Sequence, residues 1–297
     1  MRGLRLLILG IALALVVYGC KKEIPETKEA EKPEVKEAKN LEAKEAVKPE
    51  IKETAKTEET VTEKKEVAGK EAGMGVSLQW LGHASFKIRY DKTIIYIDPW
   101  KLKEPVKDAT LVLVSHSHYD HYSAEDIAKV SGPQTKLIAS ADVVAKEKGG
   151  EAITPGVTIE ADGIRITGVP AYNPNKQFHP KANNWVGFVI EVGGQGEALH
   201  QIKPASGGIR IYYAGDTDLT DEMKTLKNID VALLPIGGNF TMNAEEAAEA
   251  TKYIKPKQAI PYHYGDIVGS QGDAENFAKL AASCAKILKP GETVNLE

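Results

Sequence analysis

The stretch "LVLVSHSHYDHYS", Leu111 to Ser123, places three histidines and an aspartate within six positions, directly behind four apolar residues. The chain has only seven histidines, so this density is local and does not reflect composition. In an extended segment His116 and His118 point the same way, while Asp120 and His121 lie around the turn and face a second position. Imidazole and carboxylate are ligands for divalent cations, and burying so many polar groups beside an apolar strand is costly unless metal or hydrogen bonds compensate. The arrangement suits two metal ions a few ångströms apart better than one. Two cysteines, Cys20 and Cys284, are too few and too widely separated for a thiolate site.

Other candidates fall at predicted strand ends, which converge on a common rim in layered sheet folds. Asp216 ends "IYYAGD", His263 ends "AIPYH", and His179 lies in a loop after "GVPAYN". His83 in "WLGHASF" reads equally as a hydrogen-bonded core histidine or as a group reaching the site. Asp98 in "TIIYIDPW" and Asp216, taken alone, are the type of residue that turns and caps favour. His200, in a glycine-rich stretch, is assigned no role.

The elements that must position these residues are legible in outline. "VSLQWLGHASFKIRY" partly alternates, turns at Asp91 and Lys92, and continues as "TIIYIDPW", a hairpin or meander. "ATLVLVSH" reads as a buried strand, and Ser123 with Asp126 three residues on opens a helix through a capping box. Strands are expected in "GIRITGVPA", "NWVGFVIEVGG", "IRIYYAGDTD", "DVALLPIGG" and "QAIPYHYGD". Helices are expected in "NAEEAAEATKYI", capped by Asn243, and in "AENFAKLAASCAKIL", where Phe277, Leu280, Ala281, Cys284, Ile287 and Leu288 would share one buried face.

The amino-terminal quarter is different. Arg2 and Arg5 precede an apolar run, Leu6 to Val17, that ends in "VYGC". This resembles a bacterial lipoprotein signal over residues 1–20, with Cys20 the lipidated residue of the mature chain; an uncleaved anchor is the alternative. Residues 21–73 are almost entirely Lys, Glu, Ala, Thr, Val and Pro, without an aromatic residue, and cannot bury enough apolar surface to offset ordering entropy. They read as a tether with an end-to-end distance on the order of 40 Å, carrying a domain over residues 74–297. The expected location is the bacterial cell envelope, outside the cytoplasm. A net charge of −4 gives no basic footprint for extended nucleic acid.

"HSHYDH" matches the HxHxDH signature of the metallo-β-lactamase superfamily, and "WLGHASF", "IDPW", "YYAGDTD" and "IPYHYGD" resemble its other motifs in the same order. Within it the chain resembles ascorbate-phosphate lactonase-like and N-acyl phosphatidylethanolamine phospholipase D-like hydrolases. The resemblance implies an αββα sandwich, two mixed β-sheets flanked by helices, with a dinuclear site on one edge. His116 and His118 would bind the first metal, Asp120, His121 and His263 the second, and Asp216 would bridge them. Asp98 would orient the histidine loop from behind. Where the phospholipase-like group has a histidine after "PA" and one further residue, this chain has Asn173. His179 is expected to replace it as ligand, the alternative being that Asn173 holds a water and His179 contacts substrate.

Two such ions make hydroxide available near neutral pH, so the expected reaction is its attack on a carbonyl carbon or a phosphorus, assisted by Asp120. Zinc is the expected metal, with manganese and iron acceptable to the same ligands. The expected substrate is a small molecule or lipid containing an ester, lactone or phosphodiester. Lys176, Lys181, Trp185 and the "GGNFTM" segment are candidate walls of its pocket. The rivals are a surface lipoprotein that uses the metal without catalysis, and a di-iron redox protein, which would need a flavin partner.

Overall fold

Alternate residues of "ATLVLV" are buried in opposite directions. Leu111 and Leu113 join a core that includes Phe86, Phe188 and Tyr213, while Val112 and Val114 join another that includes Ile127, Val130 and Val143. A strand apolar on both faces needs a covering layer on each. The computed structural model describes residues 75–193 and 208–296. The proposed signal, Cys20, the tether and His200 lie outside the described residues.

Strands β1 (Val76–Gly82), β2 (Ser85–Tyr90) and β3 (Thr93–Ile97) form the expected antiparallel meander, turning at Asp91 in the left-handed region, φ 49°. Strand β4 (Ala109–Val114) then pairs parallel to β3. Helix α1 (Ala124–Val130) leads to β5 (Ser131–Ala139), and helix α2 (Ala141–Glu147) to the short β6 (Glu151–Ala152), both continuing the parallel half. The second sheet begins with β7 (Thr158–Ala161), β8 (Ile164–Pro170), β9 (Val186–Val192) and β10 (Ile209–Tyr213), all antiparallel. After helix α3 (Asp221–Thr225), strand β11 (Val231–Pro235), helix α4 (Ala244–Ile254) and strand β12 (Gln258–Tyr262) complete it in parallel. Helix α5 (Gln271–Leu280) follows, and β13 (Thr293–Leu296) returns to pair with β1.

The result is a seven-stranded mixed sheet, β13-β1-β2-β3-β4-β5-β6, on a six-stranded mixed sheet, β12-β11-β10-β9-β8-β7. Helices α1 and α2 cover the outside of the first sheet, and α4 and α5 pack on β11 and β12 of the second. This is the αββα sandwich.

Local chemistry explains the helix starts and corrects two expectations. Asn243 and Glu246 form a reciprocal capping box on α4, a contribution of about 1 kcal/mol. At α1 only half a box forms. Ser123 accepts the Asp126 N–H, but the Asp126 carboxylate turns away to accept the backbone N–H groups of Lys101 (2.9 Å) and Leu102 (3.0 Å), pinning the loop after β3. The last helix ends at Leu280, which is exposed and does not share the buried face. Beyond Ala281 the chain unwinds so that Ala285 bridges Ala259 beside β12, and Cys284 is only half-buried. Period alone extended that helix because tertiary bridging to the sheet edge leaves no trace in the apolar pattern.

Candidate metal centre

Apart from His179, which sits in the long loop between β8 and β9, every residue of the cluster hangs from the end of a strand or the turn after one. The motif loop leaves β4, and its first residues are fixed by Asp98 at the end of β3. The Asp98 carboxylate accepts the Ser115 N–H at 2.7 Å, the Ser115 hydroxyl, the Tyr213 hydroxyl at 2.6 Å, and Nδ1–H of His121 at 2.7 Å. Asp98 is wholly buried, so this carboxylate is a hydrogen-bonded hub between the end of the first sheet and β10 of the second. Asp216 follows Gly215, whose φ is +68° and where a Cβ would come within 2.9 Å of the Val186 carbonyl oxygen, leaving no room for a side chain. Tyr262 donates to the Gly215 carbonyl at 2.7 Å, and the backbone N–H of His263 to that of His83 at 3.1 Å.

The side chains converge in two groups. Ligand-capable atoms of His116, His118 and His179 lie within 4.8 Å of one another, as do those of His83, Asp120, His121 and His263. Asp216 stands between the groups. Its Oδ2 is 3.4 Å from His179 Nε2, 3.2 Å from His263 Nε2 and 4.0 Å from His116 Nε2; its Oδ1 is 3.1 Å from His121 Nε2. Asp120 Oδ2 lies 3.5 Å from His263 Nε2 and 3.0 Å from His83 Nε2. Behind the inward-facing nitrogens, His121 Nδ1 is held by Asp98 and His179 Nδ1 by the Asn173 Oδ1 at 2.7 Å. A proton held at Nδ1 leaves the Nε2 lone pair free to face a cation.

A divalent cation fits this donor set. Nε2 of His121, His179 and His263 and Oδ1 of Asp216 are buried, mutually close, and without a hydrogen-bond partner. Each would cost about 1–3 kcal/mol unsatisfied. Burial disfavours charge on all these groups, yet His121 and His263 hold Asp216 well below the usual carboxylate range, and His263 and His83 do the same for Asp120. His263 in turn is pushed up to about 9, burial being outweighed by Asp216 and Asp120. Burial and neighbouring imidazoles push His116 and His118 down. Asp216 draws positive charge toward His121 and His263, and a bound cation would supply such charge directly.

Three expectations are sharpened by these positions. His83, left open from sequence, reaches the site and pairs with Asp120. Asn173 is not turned to the cluster's centre; besides His179 it donates from Nδ2 to the Phe240 carbonyl at 3.0 Å. Lys176 is no free cation for a substrate: its ammonium meets Asp218 (2.7 Å) and the carbonyls of Gly238 (3.1 Å) and Thr241 (2.6 Å), clamping the His179 loop to the "GDTD" turn. Lys181 is likewise bound to Glu222 at 2.7 Å. Sequence reasoning missed Ser115, Tyr213 and Asp142. Asp142, at the start of α2, accepts the Trp185 indole N–H at 2.9 Å and so presses that ring against His116 and His118, with centroids 4.9 and 4.8 Å away. For Tyr213 a signal existed, since strand alternation puts it on the same inward face as Ile211.

The family described as Beta-lactamase superfamily domain matches residues 77–263. A UPF0173 metal-dependent hydrolase of Pyrococcus abyssi is 37% identical over 242 residues, 74% of this chain and 100% of the relative. The chain belongs to this metal-dependent hydrolase family. Among solved structures, a putative metal-dependent hydrolase from Parabacteroides distasonis is 26% identical with a TM-score of 0.60, covering 73% of this chain and 94% of that one. Igni18, a metallo hydrolase from Ignicoccus hospitalis, is 28% identical with a TM-score of 0.59, covering 75% and 99%. These relatives each match about three quarters of this chain.

Proposed function

We propose that the chain is a hydrolase that uses two divalent cations, zinc by preference and manganese or iron as substitutes, to cleave an ester, a lactone or a phosphodiester. The observation that carries this reading is Asp216, whose two oxygens face two separate histidine groups with unpartnered Nε2 atoms. His116, His118 and His179 would hold one ion, Asp120, His121 and His263 the other, with Asp216 shared. The bound ions supply Lewis acidity for the developing oxyanion and acidify water near neutral pH. The remaining work falls to the protein. His83 donates to Asp120 Oδ2 and aims that carboxylate, which rests ionised and can take a proton from attacking water and then pass that proton to the leaving group. Asp98 and Asn173 fix the imidazoles of His121 and His179. Trp185 closes one wall against solvent. Cys20 would tether the enzyme to the cell-envelope membrane, outside the cytoplasm, where its substrate would be a small molecule or a lipid.

The test is a panel of esters, lactones and phosphodiesters offered to the full-length protein loaded with zinc or manganese, with metal measured per chain. Turnover requiring about two ions per chain supports the reading. Two tightly bound ions with no turnover on any member would instead favour a metal-binding lipoprotein on the same fold.

A further inference from the structure

Beside the metal centre lies a cavity of about 820 Å³, lined among others by Trp80, Leu81, His83, Trp100, Ile287 and Pro290. Its inner wall is shared with the site. The His83 ring lies 4.1 Å from that of His263 and 4.9 Å from that of Trp100. Trp100 in turn meets Tyr119, at 6.3 Å, which is 68% exposed and sits inside the histidine motif between His118 and Asp120. Trp100 and Tyr119 therefore form an aromatic path from the cavity to the mouth of the metal centre.

The charges around the cavity do not suit an anion. Its lining includes Lys101 and Lys289 against Asp266, Glu275 and Glu292, an excess of one negative charge. Lys101 is already committed: its ammonium donates to both oxygens of Asp266, at 3.0 and 2.9 Å, and lies 4.1 Å over the Trp100 ring. On the other flank Lys176 and Lys181 are spent on Asp218 and Glu222.

Resting on the hydrolase reading above, we infer that the cavity binds the apolar body of an uncharged substrate, so that the natural substrate is a carboxylic ester or lactone bearing an alkyl or aryl group and not a phosphodiester. In that reaction water adds to the carbonyl carbon, the C–O bond to the alcohol breaks, and the alcohol oxygen takes a proton, giving acid and alcohol. A cavity of this size and lining accepts a hydrocarbon chain, and each methylene buried there favours binding.

The experiment compares 4-nitrophenyl acetate, 4-nitrophenyl hexanoate and bis(4-nitrophenyl) phosphate on the full-length, metal-loaded protein. The expected result is kcat/KM at least about ten-fold higher for hexanoate than for acetate, with the phosphodiester slower than either. Ile287→Glu should abolish the chain-length preference. Gln271→Trp, at an exposed position on the same cavity, should do so by filling space and stands in if Ile287→Glu fails to fold. A faster phosphodiester, or an unaltered chain-length preference in the folded variants, overturns the inference and leaves the hydrolase reading standing. Absence of turnover on all three defeats that reading instead; then N-phenylhexanamide titrated into Trp185→Phe, whose remaining tryptophans both line the cavity, decides the cavity alone by fluorescence. A saturable change supports it, and none overturns it.

Discussion

Asn173 Oδ1 accepts the Nδ1–H of His179 at 2.7 Å, and the Asn173 backbone N–H donates to the His179 carbonyl at 2.8 Å. The five-residue excursion between them thus closes on itself, and the side chain facing Asp216 is the imidazole. The amide stands behind it as an orienting group. His179→Ala should therefore lose one of the two ions, while Asn173→Ala should keep both and bind one of them about 10–100-fold more weakly. Competition titration against a chelator separates the two outcomes. Full occupancy in His179→Ala would move His179 to substrate contact.

Asp216→Ala removes the carboxylate whose oxygens lie within 4.0 Å of Nε2 atoms in both histidine groups. Metal content should fall from two ions to one or none and kcat by at least about 10³-fold, since the two ions are no longer held at a fixed separation. Far-UV circular dichroism should be unchanged, because Asp216 lies in a turn and its loss breaks no strand pairing. A variant that retained two ions and wild-type kcat would contradict the bridging role.

In chelated protein the pH dependence of stability carries the signature of the cluster. The His263 imidazole is raised to about 9, against about 6.5 for an exposed one. A raised group contributes stability that is fully present below about 6.5 and is lost as pH climbs through about 9. Asp216 and Asp120, held low, contribute stability present above the ordinary carboxylate value and lost as pH falls below it. The Tm of the metal-free protein should thus decline from pH 6.5 to 9, while the metal-loaded protein, whose cations replace that proton, should stay nearly flat. Calorimetry on both forms checks this, and a rise across that window in the chelated protein would refute the charge assignment.

The "VYGC" junction leads to an expectation about location. Metabolic labelling with a fatty acid should mark the wild type and not Cys20→Ser, and the variant should leave the membrane fraction. Equal labelling of both proteins would exclude Cys20 as the acceptor.

How much of this was legible beforehand differs by type of information. The αββα class was legible through the family resemblance carried by "HSHYDH" and its companion motifs, and the polar cluster because histidines packed behind an apolar strand have few alternative uses. The edges were not. Strand β5 exposes Pro133, Gln134 and Lys136 and shows no alternation to read, while β6, β7 and β13 run for only two to four residues, too short for the alternation of β7 and β13 to stand out. The same limit applied to Lys176. Its sequence neighbours suggest a cation awaiting a substrate, and only the folded loop shows that Asp218 and two carbonyls consume its protons. His83 remained ambiguous because both of its readings demand burial; what decides is the partner, Asp120, 37 residues away.

Asp98 has one more consequence. Its carboxylate joins Ser115 and His121, which follow the first sheet, to Tyr213 of the second. The cation cage therefore cannot be completed until the two halves of the chain have docked in register, because Asp216 and His263 arrive with the later half. Ion uptake would then be a late event in folding and a read-out of its success. A chain whose sheets were mispaired by one residue would turn Tyr213 away from Asp98, release His121 and stay empty. Ion content per chain would measure the correctly assembled fraction of a preparation, and added metal would draw marginal chains toward the native state in proportion to its affinity.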